Sequence, residues 1–117
     1  MKKTIILDTN FIIYATKYKI DLKKEFAREC LFNFEIAVLD KTLVELENLK
    51  QNLALNIAKT FRILKTKSSL PVDKILINLS NKNIIIATQD KEIKKQLKGP
   101  VAVIRQKKYI KILHKGI

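Results

Sequence analysis

Thr4-Ile5-Ile6-Leu7-Asp8-Thr9-Asn10 is the stretch of sequence that decides the fold of this chain. Its first four residues form one apolar or β-branched block, which is typical of a strand buried on both faces of a parallel sheet. The polar residues from Asp8 to Asn10 end that strand, and residues 11–18 can then form a short helix. A buried strand that leads directly into a helix indicates an α/β fold.

The same alternation of strand and helix continues along the chain. Further strands are predicted at residues 35–39, 83–88 and 101–104, with a weaker edge strand at 109–113. Helices are predicted after the N-cap Asp21, over residues 40–67 as two helices broken near Asn52, and at 72–80 and 90–97. In the helix after Asp21, the apolar residues that recur at helical spacing, and are expected to point inward, are Leu22, Phe26, Cys30 (or Ala27) and Leu31. This order predicts a three-layer α/β/α sandwich around a mostly parallel sheet.

Length and composition limit the class of protein. The chain has 117 residues, which fits a single domain over residues 1–117. Its one cysteine, Cys30, excludes an intramolecular disulfide and a Cys-based zinc site. No apolar run approaches the ~20 residues of a membrane span, and the run near the start ends at Asp8 without a cleavage-like sequence. We therefore expect a cytoplasmic protein without membrane association.

The net charge points to the kind of partner. There are 24 Lys and Arg residues against 11 Asp and Glu residues, so the net charge is +13. An excess of this size favours a polyanionic partner, and nucleic acid is the usual one. The alternative is a composition rich in Lys and Ile in which the charge has no function. A membrane-surface role is disfavoured, because the lysines occur all along the chain and not on one amphipathic helix.

Four of the few acidic residues occupy related positions. Asp8 and Asp90 each follow a predicted strand, and Glu45 lies one turn into the helix that follows the strand at 35–39. Asp73 opens the helix that leads into the strand at 83–88. Open parallel sheets bind ligands beyond the carboxyl ends of their strands. We therefore expect these carboxylates to share one crevice at that edge.

Each acidic residue also has a purely structural interpretation. Asp8, Asp73 and Asp90 stand where a helix N-cap is wanted, and Glu45 lies three residues after Thr42, as in a capping box. Both interpretations stay open from the sequence. Capping does not exclude ligation, because one carboxylate oxygen can accept a backbone N–H while the other faces a metal ion.

Clustered carboxylates require a counter-charge. Two of them ~5 Å apart repel by ~3 kcal/mol at an effective dielectric constant of ~20. Oxygen ligands of this kind select Mg²⁺ or Mn²⁺ over zinc, and such ions can polarise a phosphodiester and activate water. The sequence contains no Walker-type phosphate loop and no Ser-His-Asp or Cys-His arrangement. The single histidine, His114, is expected at the surface.

At this point the sequence resembles a known family, the PIN-domain nucleases. Its opening signature stands here as Ile5-Ile6-Leu7-Asp8-Thr9-Asn10-Phe11-Ile12-Ile13. The next two stand as Val44-Glu45-Leu46-Glu47-Asn48-Leu49 and Val72-Asp73-Lys74-Ile75-Leu76. The fourth stands as Ile86-Ala87-Thr88-Gln89-Asp90-Lys91-Glu92-Ile93, and the closing strand resembles Gly99-Pro100-Val101-Ala102-Val103-Ile104-Arg105. The match covers essentially the whole chain in the same order.

The resemblance implies a metal-dependent endoribonuclease with a parallel sheet of four or five strands. The implied ligands of Mg²⁺ or Mn²⁺ and catalytic residues are Asp8, Glu45, Asp73 and Asp90. Asn10 and Thr88 would orient these carboxylates. Lysines at the rim would hold the RNA backbone by charge, and the candidates are Lys41, Lys74, Lys91, Lys94 and Lys95.

Within the family, the sequence is most similar to archaeal small-subunit processome nucleases, which act in ribosomal RNA maturation, with VapC-type toxins next. It departs from the processome type at Lys74, where those members carry a second adjacent Asp. The implied partner is RNA, and the subfamilies add a ribosome-assembly partner, an antitoxin or a second copy of the chain. A third hypothesis is a catalytically inactive domain that binds RNA or protein.

Overall fold

A computed structural model describes residues 2–114 of the chain. The strands within these residues are β1 (Lys3–Leu7), β2 (Phe34–Leu39), β3 (Arg62–Leu64), β4 (Ile84–Ala87), β5 (Val101–Arg105) and β6 (Tyr109–Leu113). The helices are α1 (Thr9–Lys17), α2 (Leu22–Glu29), α3 (Asp40–Asn48), α4 (Asn52–Ala58), α5 (Val72–Leu79) and α6 (Lys91–Gln96). The strands form one sheet in the order β3-β2-β1-β4-β5-β6. Strands β1 to β5 run parallel, and β6 pairs antiparallel with β5.

Both faces of the central strand are covered by helices. Ile5 and Leu7 belong to a core that also contains residues of α1, α2, α3 and α4. Ile6, which lies between them, belongs to a second core with α5 and α6. These three side chains are almost fully buried, which explains the unbroken apolar block at the start of the sequence. The predicted three-layer α/β/α architecture with a mostly parallel sheet is confirmed.

The sheet has six strands, and not the four or five expected, because residues 62–64 form an edge strand. The prediction of helix up to residue 67 is wrong: α4 ends at Ala58, and β3 pairs with β2 so that Leu64 lies opposite Leu39. The helical spacing of Phe61 and Leu64 is misleading, since Phe61 packs against the first core and Leu64 against the second. Pairing with the open edge of β2 satisfies backbone groups that a further helical turn would otherwise satisfy.

Helix α2 is shorter than the sequence predicts. Asp21 caps it as expected, since its carboxylate accepts the N–H of Lys24 at 3.2 Å. The helix ends at Glu29, and Cys30 follows it in extended conformation with its side chain buried in the core. The prediction that Leu31 packs inward is wrong, because its side chain is 100% exposed. Because Cys30 is extended, the helix does not continue to Leu31, and Leu31 does not lie on the same helical face as Leu22.

Side chains of α2 cover the outer edge of β6. The N–H groups of Ile110 and Ile112 donate to the carboxylates of Glu25 and Glu29, at 3.1 and 3.0 Å. The guanidinium of Arg28 donates to the carbonyl oxygen of Ile110 at 2.9 Å. Exposed edge strands offer such backbone groups to other chains as a template for pairing. Helix α2 therefore protects this edge from strand addition.

Glu25→Ala should destabilise the fold in a pH-dependent way. Partial burial alone would raise the pKa of Glu25. The hydrogen bonds from Arg28 and from the Ile110 N–H lower the pKa, and so do the positive charges of Arg28 and Lys24. Together they outweigh burial and hold the pKa below its usual value. A carboxyl group of this kind stabilises the fold above its unfolded-state pKa, and the contribution disappears as the pH falls through its folded-state pKa. We expect a cost of about 1.5 kcal/mol at neutral pH.

Urea unfolding at several pH values measures this effect. The matched control is Glu47→Ala, which removes an exposed helical glutamate on α3. The difference in the free energy of unfolding between the two variants should become smaller as the pH is lowered through the range in which glutamate titrates. A difference that stays constant with pH would mean that the charge of Glu25 does not contribute to covering the edge.

Candidate active site

Asp8 lies at the junction of β1 and α1, at the centre of the carboxyl edge of the sheet. The parallel register between β1 and β4 sets Leu7 opposite Ala87, so Asp8 lies next to Thr88. The hydroxyl of Thr88 donates to Oδ2 of Asp8 at 2.9 Å, and both side chains are buried. Asp8 occupies the N-cap position of α1, but its side chain makes no capping hydrogen bond. The capping interpretation is therefore wrong for Asp8.

Burial and neighbouring negative charges disfavour the ionised form of the Asp8 carboxyl group. Burial raises its pKa above the usual value of aspartate, and the negative charges of Glu45 and Asp90 raise it further. The hydroxyl of Thr88 and the N–H of Thr9 act in the opposite direction and do not compensate. A counter-charge in this position would stabilise the ionised form.

Asp90 follows β4 and is the N-cap of α6, as the sequence predicts. Its Oδ1 accepts the N–H groups of Glu92 and Ile93, at 2.8 and 3.3 Å. Both capping bonds end on the same oxygen, so capping does not occupy Oδ2. The N–H of Asp90 donates to the hydroxyl of Thr88 at 3.1 Å, and that hydroxyl donates to Asp8. Thr88 thus links the two aspartates that follow the neighbouring strands β1 and β4.

Glu45 projects from the second turn of α3 and is held by Thr9. The hydroxyl of Thr9 donates to Oε1 of Glu45 at 2.5 Å, and it lies 3.5 Å from the hydroxyl of Thr42. The predicted capping box is wrong, because α3 begins at Asp40 and Thr42 lies buried inside the helix. Thr9 is not among the site residues expected from the sequence, although its hydroxyl lies directly after Asp8, at the start of α1, and contacts the same site.

Asp73 lies in the first turn of α5 with its side chain exposed. The N-cap of this helix is Pro71, so the capping interpretation is also wrong for Asp73. Lys74, the next residue, is exposed as well.

One crevice at the carboxyl edge of the sheet brings these carboxylates together. It has a volume of about 350 Å³. Asp8, Glu45, Asp73 and Asp90 all line it, and the exposed residue Asn10 lies at its margin. Among residues 2–114, no three Asp, Glu, His or Cys side chains lie close enough together to ligate one metal ion directly. The charged residues that line the crevice are all carboxylates, a set that fits Mg²⁺ or Mn²⁺. Mg²⁺ is usually held by only one or two carboxylates with several waters.

The lysines expected to contact RNA are in different situations. The Lys41 ammonium donates to the carbonyl oxygens of Ser68 and Leu70, so it is engaged within the protein. Lys95 forms an exposed ion pair with Glu92 at 3.4 Å. Lys74 and Lys91 are exposed, and Lys94 is partly buried. Lys65 and Lys67 are also exposed and follow β3 at the same edge of the sheet. They are not among the lysines expected to contact RNA, because the helix predicted over residues 40–67 includes them.

His114 and the lengths of the helices were also considered from the sequence. His114 is exposed, as expected. None of the helices between residues 2 and 114 is both long and apolar enough to span a membrane.

Comparison with known proteins gives strong similarities in sequence and in structure. No family model matches the chain. Ribonuclease VapC4 of Methanocaldococcus jannaschii is 38% identical in sequence, over 92% of this chain and 95% of that protein. The solved structure of the PIN domain endonuclease Utp24 superposes with a TM-score of 0.80 at 25% identity. That superposition covers 97% of this chain and 95% of the other.

Proposed function

Because the chain belongs to the PIN-domain family of nucleases, we propose that it is an endoribonuclease that depends on Mg²⁺ or Mn²⁺ and that its active site is the crevice at the carboxyl edge of the sheet. The observation that carries the proposal is the convergence of four carboxylates from four separate segments on one crevice. One of them, Asp8, is buried, and the hydrogen bonds that it accepts do not offset the effect of burial, which raises its pKa.

In this proposal Asp8 and Asp90 are the main metal ligands. Glu45 and Asp73 complete the site, directly or through water. Ligation through water agrees with the finding that, among residues 2–114, no three such side chains lie close enough to ligate one ion. A divalent ion bound there would supply positive charge to the phosphodiester and lower the pKa of a water molecule. Asn10 is placed to contact the ligands or the RNA from the margin of the crevice.

The protein's own contribution is to hold these groups in place before RNA arrives. Thr88 fixes the orientation of Asp8 through its hydroxyl, and Thr9 does the same for Glu45. Thr88 and Asp8 are both buried, so water competes little for their hydrogen bond, whereas the bond from Thr9 to the exposed Glu45 is only partly buried. Partners that orient metal ligands in this way usually contribute about 10- to 100-fold to metal affinity or activity.

Two RNA targets remain as alternatives for the same chemistry. The VapC name of the relative favours the toxin type, in which a small antitoxin would be the partner. The match to Utp24 agrees with the processome type, for which ribosomal RNA maturation was expected from the sequence. Lys74 favours the toxin type, because the processome type carries a second Asp there. The genes that flank this one distinguish the two, since a toxin requires an antitoxin encoded beside it.

Cleavage of a labelled structured RNA by the purified chain tests the proposed activity. We expect cleavage in Mn²⁺ or Mg²⁺ and none in EDTA. RNA binding without cleavage at every concentration of both ions would overturn the proposal and favour the inactive RNA-binding domain.

Salt dependence tests whether the lysines of α6 contact RNA. Replacing Lys91, Lys94 and Lys95 together by Gln should reduce the slope of log affinity against log salt. Each phosphate neutralised on a single strand contributes roughly 0.7 to that slope. Because Lys95 already pairs with Glu92, we expect the loss of one or two contacts, a change of roughly 0.7–1.4.

A charge-matched variant controls for the loss of net charge. Lys2, Lys82 and Lys98 are exposed and precede β1, β4 and β5, so they lie near the opposite edge of the sheet. Their replacement by Gln should leave the slope nearly unchanged in filter-binding or fluorescence titrations. Equal slopes for the two triple variants would mean that the lysines of α6 act only through net charge.

A further inference from the structure

The segment that joins β3 to α5 has no regular secondary structure, yet it is tied to the start of α3. This segment, residues 65–71, leads directly to the first turn of α5, which carries Asp73. Helix α3 carries Glu45 on the other side of the crevice. Two adjacent residues of α3, Asp40 and Lys41, make hydrogen bonds to the segment.

Asp40 holds the beginning of the segment. Its Oδ1 accepts the hydroxyl of Thr66 at 2.8 Å, and its two oxygens accept the Thr66 N–H at 3.3 and 3.2 Å. The same carboxylate accepts the N–H of Lys41 at 2.8 Å. The hydrogen bond from the Thr66 hydroxyl is the main cause of the low pKa of Asp40, so the carboxylate stays ionised at neutral pH.

Lys41 holds the end of the segment. Its ammonium donates to the carbonyl oxygens of Ser68 and Leu70, at 2.5 and 2.8 Å. The Ser68 hydroxyl accepts the N–H of Leu70 at 3.0 Å, which closes the turn between these two carbonyls. Leu70 is followed by Pro71, the N-cap of α5, so Lys41 fixes the chain just before the helix begins.

We propose that Asp40, Lys41 and Thr66 form a clamp that positions Asp73 relative to Glu45 and so sets the width of the crevice. The clamp joins residues 26 to 29 positions apart in sequence. Val44 on α3 and Leu70 in the segment are 56% and 42% exposed, so the apolar surface beside the clamp is only partly buried. Asp40 and Lys41 are then positioning residues, and Lys41 does not act as a contact to RNA. The inference rests on the proposed function, since it concerns two of the proposed metal ligands.

Three test substitutions and one control distinguish a clamp from an RNA contact. Lys41→Met removes the ammonium and keeps most of the side-chain stem. Thr66→Val removes one hydroxyl and leaves the net charge unchanged. Lys41→Arg keeps a cation that can donate to the same carbonyls, and Lys82→Met, near the opposite edge of the sheet, is the control for the loss of one charge.

The clamp predicts the same kind of change in Lys41→Met and Thr66→Val. Hydrogen exchange at the backbone amides of residues 66–73 should become faster. The affinity for Mn²⁺ and kcat should each fall, in Lys41→Met by about 10-fold, and Lys41→Arg should recover most of the loss. RNA affinity measured without metal should stay within about twofold of the original protein, and the double variant should lose less than the sum of the single losses.

Two outcomes would overturn the clamp. If Lys41→Met weakens metal-free RNA binding and raises KM while kcat and hydrogen exchange stay unchanged, Lys41 contacts RNA. If hydrogen exchange becomes faster in both variants but Mn²⁺ affinity and kcat do not change, the contacts only order the segment. A failure of the proposed function is recognised separately, because the original protein would then cleave no RNA, whereas the changes in hydrogen exchange and Mn²⁺ affinity would still report on the clamp.

Discussion

Asp90→Asn should lower the rate of RNA cleavage by more than about 100-fold while the protein keeps its fold. Residues that only orient a metal ligand contribute about 10- to 100-fold, and a ligand itself should contribute more. Asparagine keeps the oxygen that accepts the N–H groups of Glu92 and Ile93, so α6 should remain capped. What the substitution removes is the negative charge and the second carboxylate oxygen. RNA binding without metal should be unchanged or stronger, because one charge that repels phosphate is gone.

Asp21→Asn is the matched control. Asp21 caps α2 through one hydrogen bond to the N–H of Lys24, and it does not line the crevice. Both variants should have near-native melting temperatures, and only Asp90→Asn should lose cleavage of a labelled structured RNA in Mn²⁺. Full activity in Asp90→Asn would mean that Asp90 serves only as a cap and would contradict the proposed mechanism.

The central strands could be predicted from the sequence because each has a local pattern of apolar residues that indicates a buried strand. Strands β1, β4 and β5 are unbroken apolar blocks, because helices cover both of their faces. Once these strands are taken as parallel, the positions of Asp8 and Asp90 follow, since each residue comes just after its strand. The meeting of the four carboxylates in one crevice follows from the same topology, although their role in catalysis remains a prediction, as do the cytoplasmic location and the single domain over residues 1–117.

The features that the sequence did not reveal depend on contacts between distant residues. Strand β3 has only three residues and forms by pairing with the edge of β2. A strand this short has no alternating pattern of apolar and polar residues from which it could be predicted. The hydrogen bonds of the Lys41 ammonium reach carbonyl oxygens 27 and 29 residues away, so the local sequence gives no sign of them. A Cβ atom on Gly99 would lie 2.0 Å from the carbonyl oxygen of Asn81, so the residue is required by a close approach of two backbone segments.

Asp8→Asn should change the response of the protein to metal more than any other single substitution. Folding raises the pKa of Asp8, so its charge costs stability once the pH is above the unfolded-state pKa, and this cost is fully present above the folded-state pKa. Asparagine carries no charge and can still accept the hydroxyl of Thr88. Without metal, the variant should therefore melt at the same temperature as the original protein or higher.

With metal, the order of stability should reverse. An ion at 100 times its dissociation constant adds ~2.7 kcal/mol to the folded state, which corresponds to a rise in Tm of roughly 10 °C for a chain of this size. The original protein and Asp21→Asn should show this rise in Mn²⁺, and Asp8→Asn should show little of it. Equal rises in all three proteins would mean that the ion binds elsewhere. A large drop in Tm for Asp8→Asn without metal would mean that the carboxylate is needed for the fold, because its hydrogen bonds would then outweigh the cost of burying its charge.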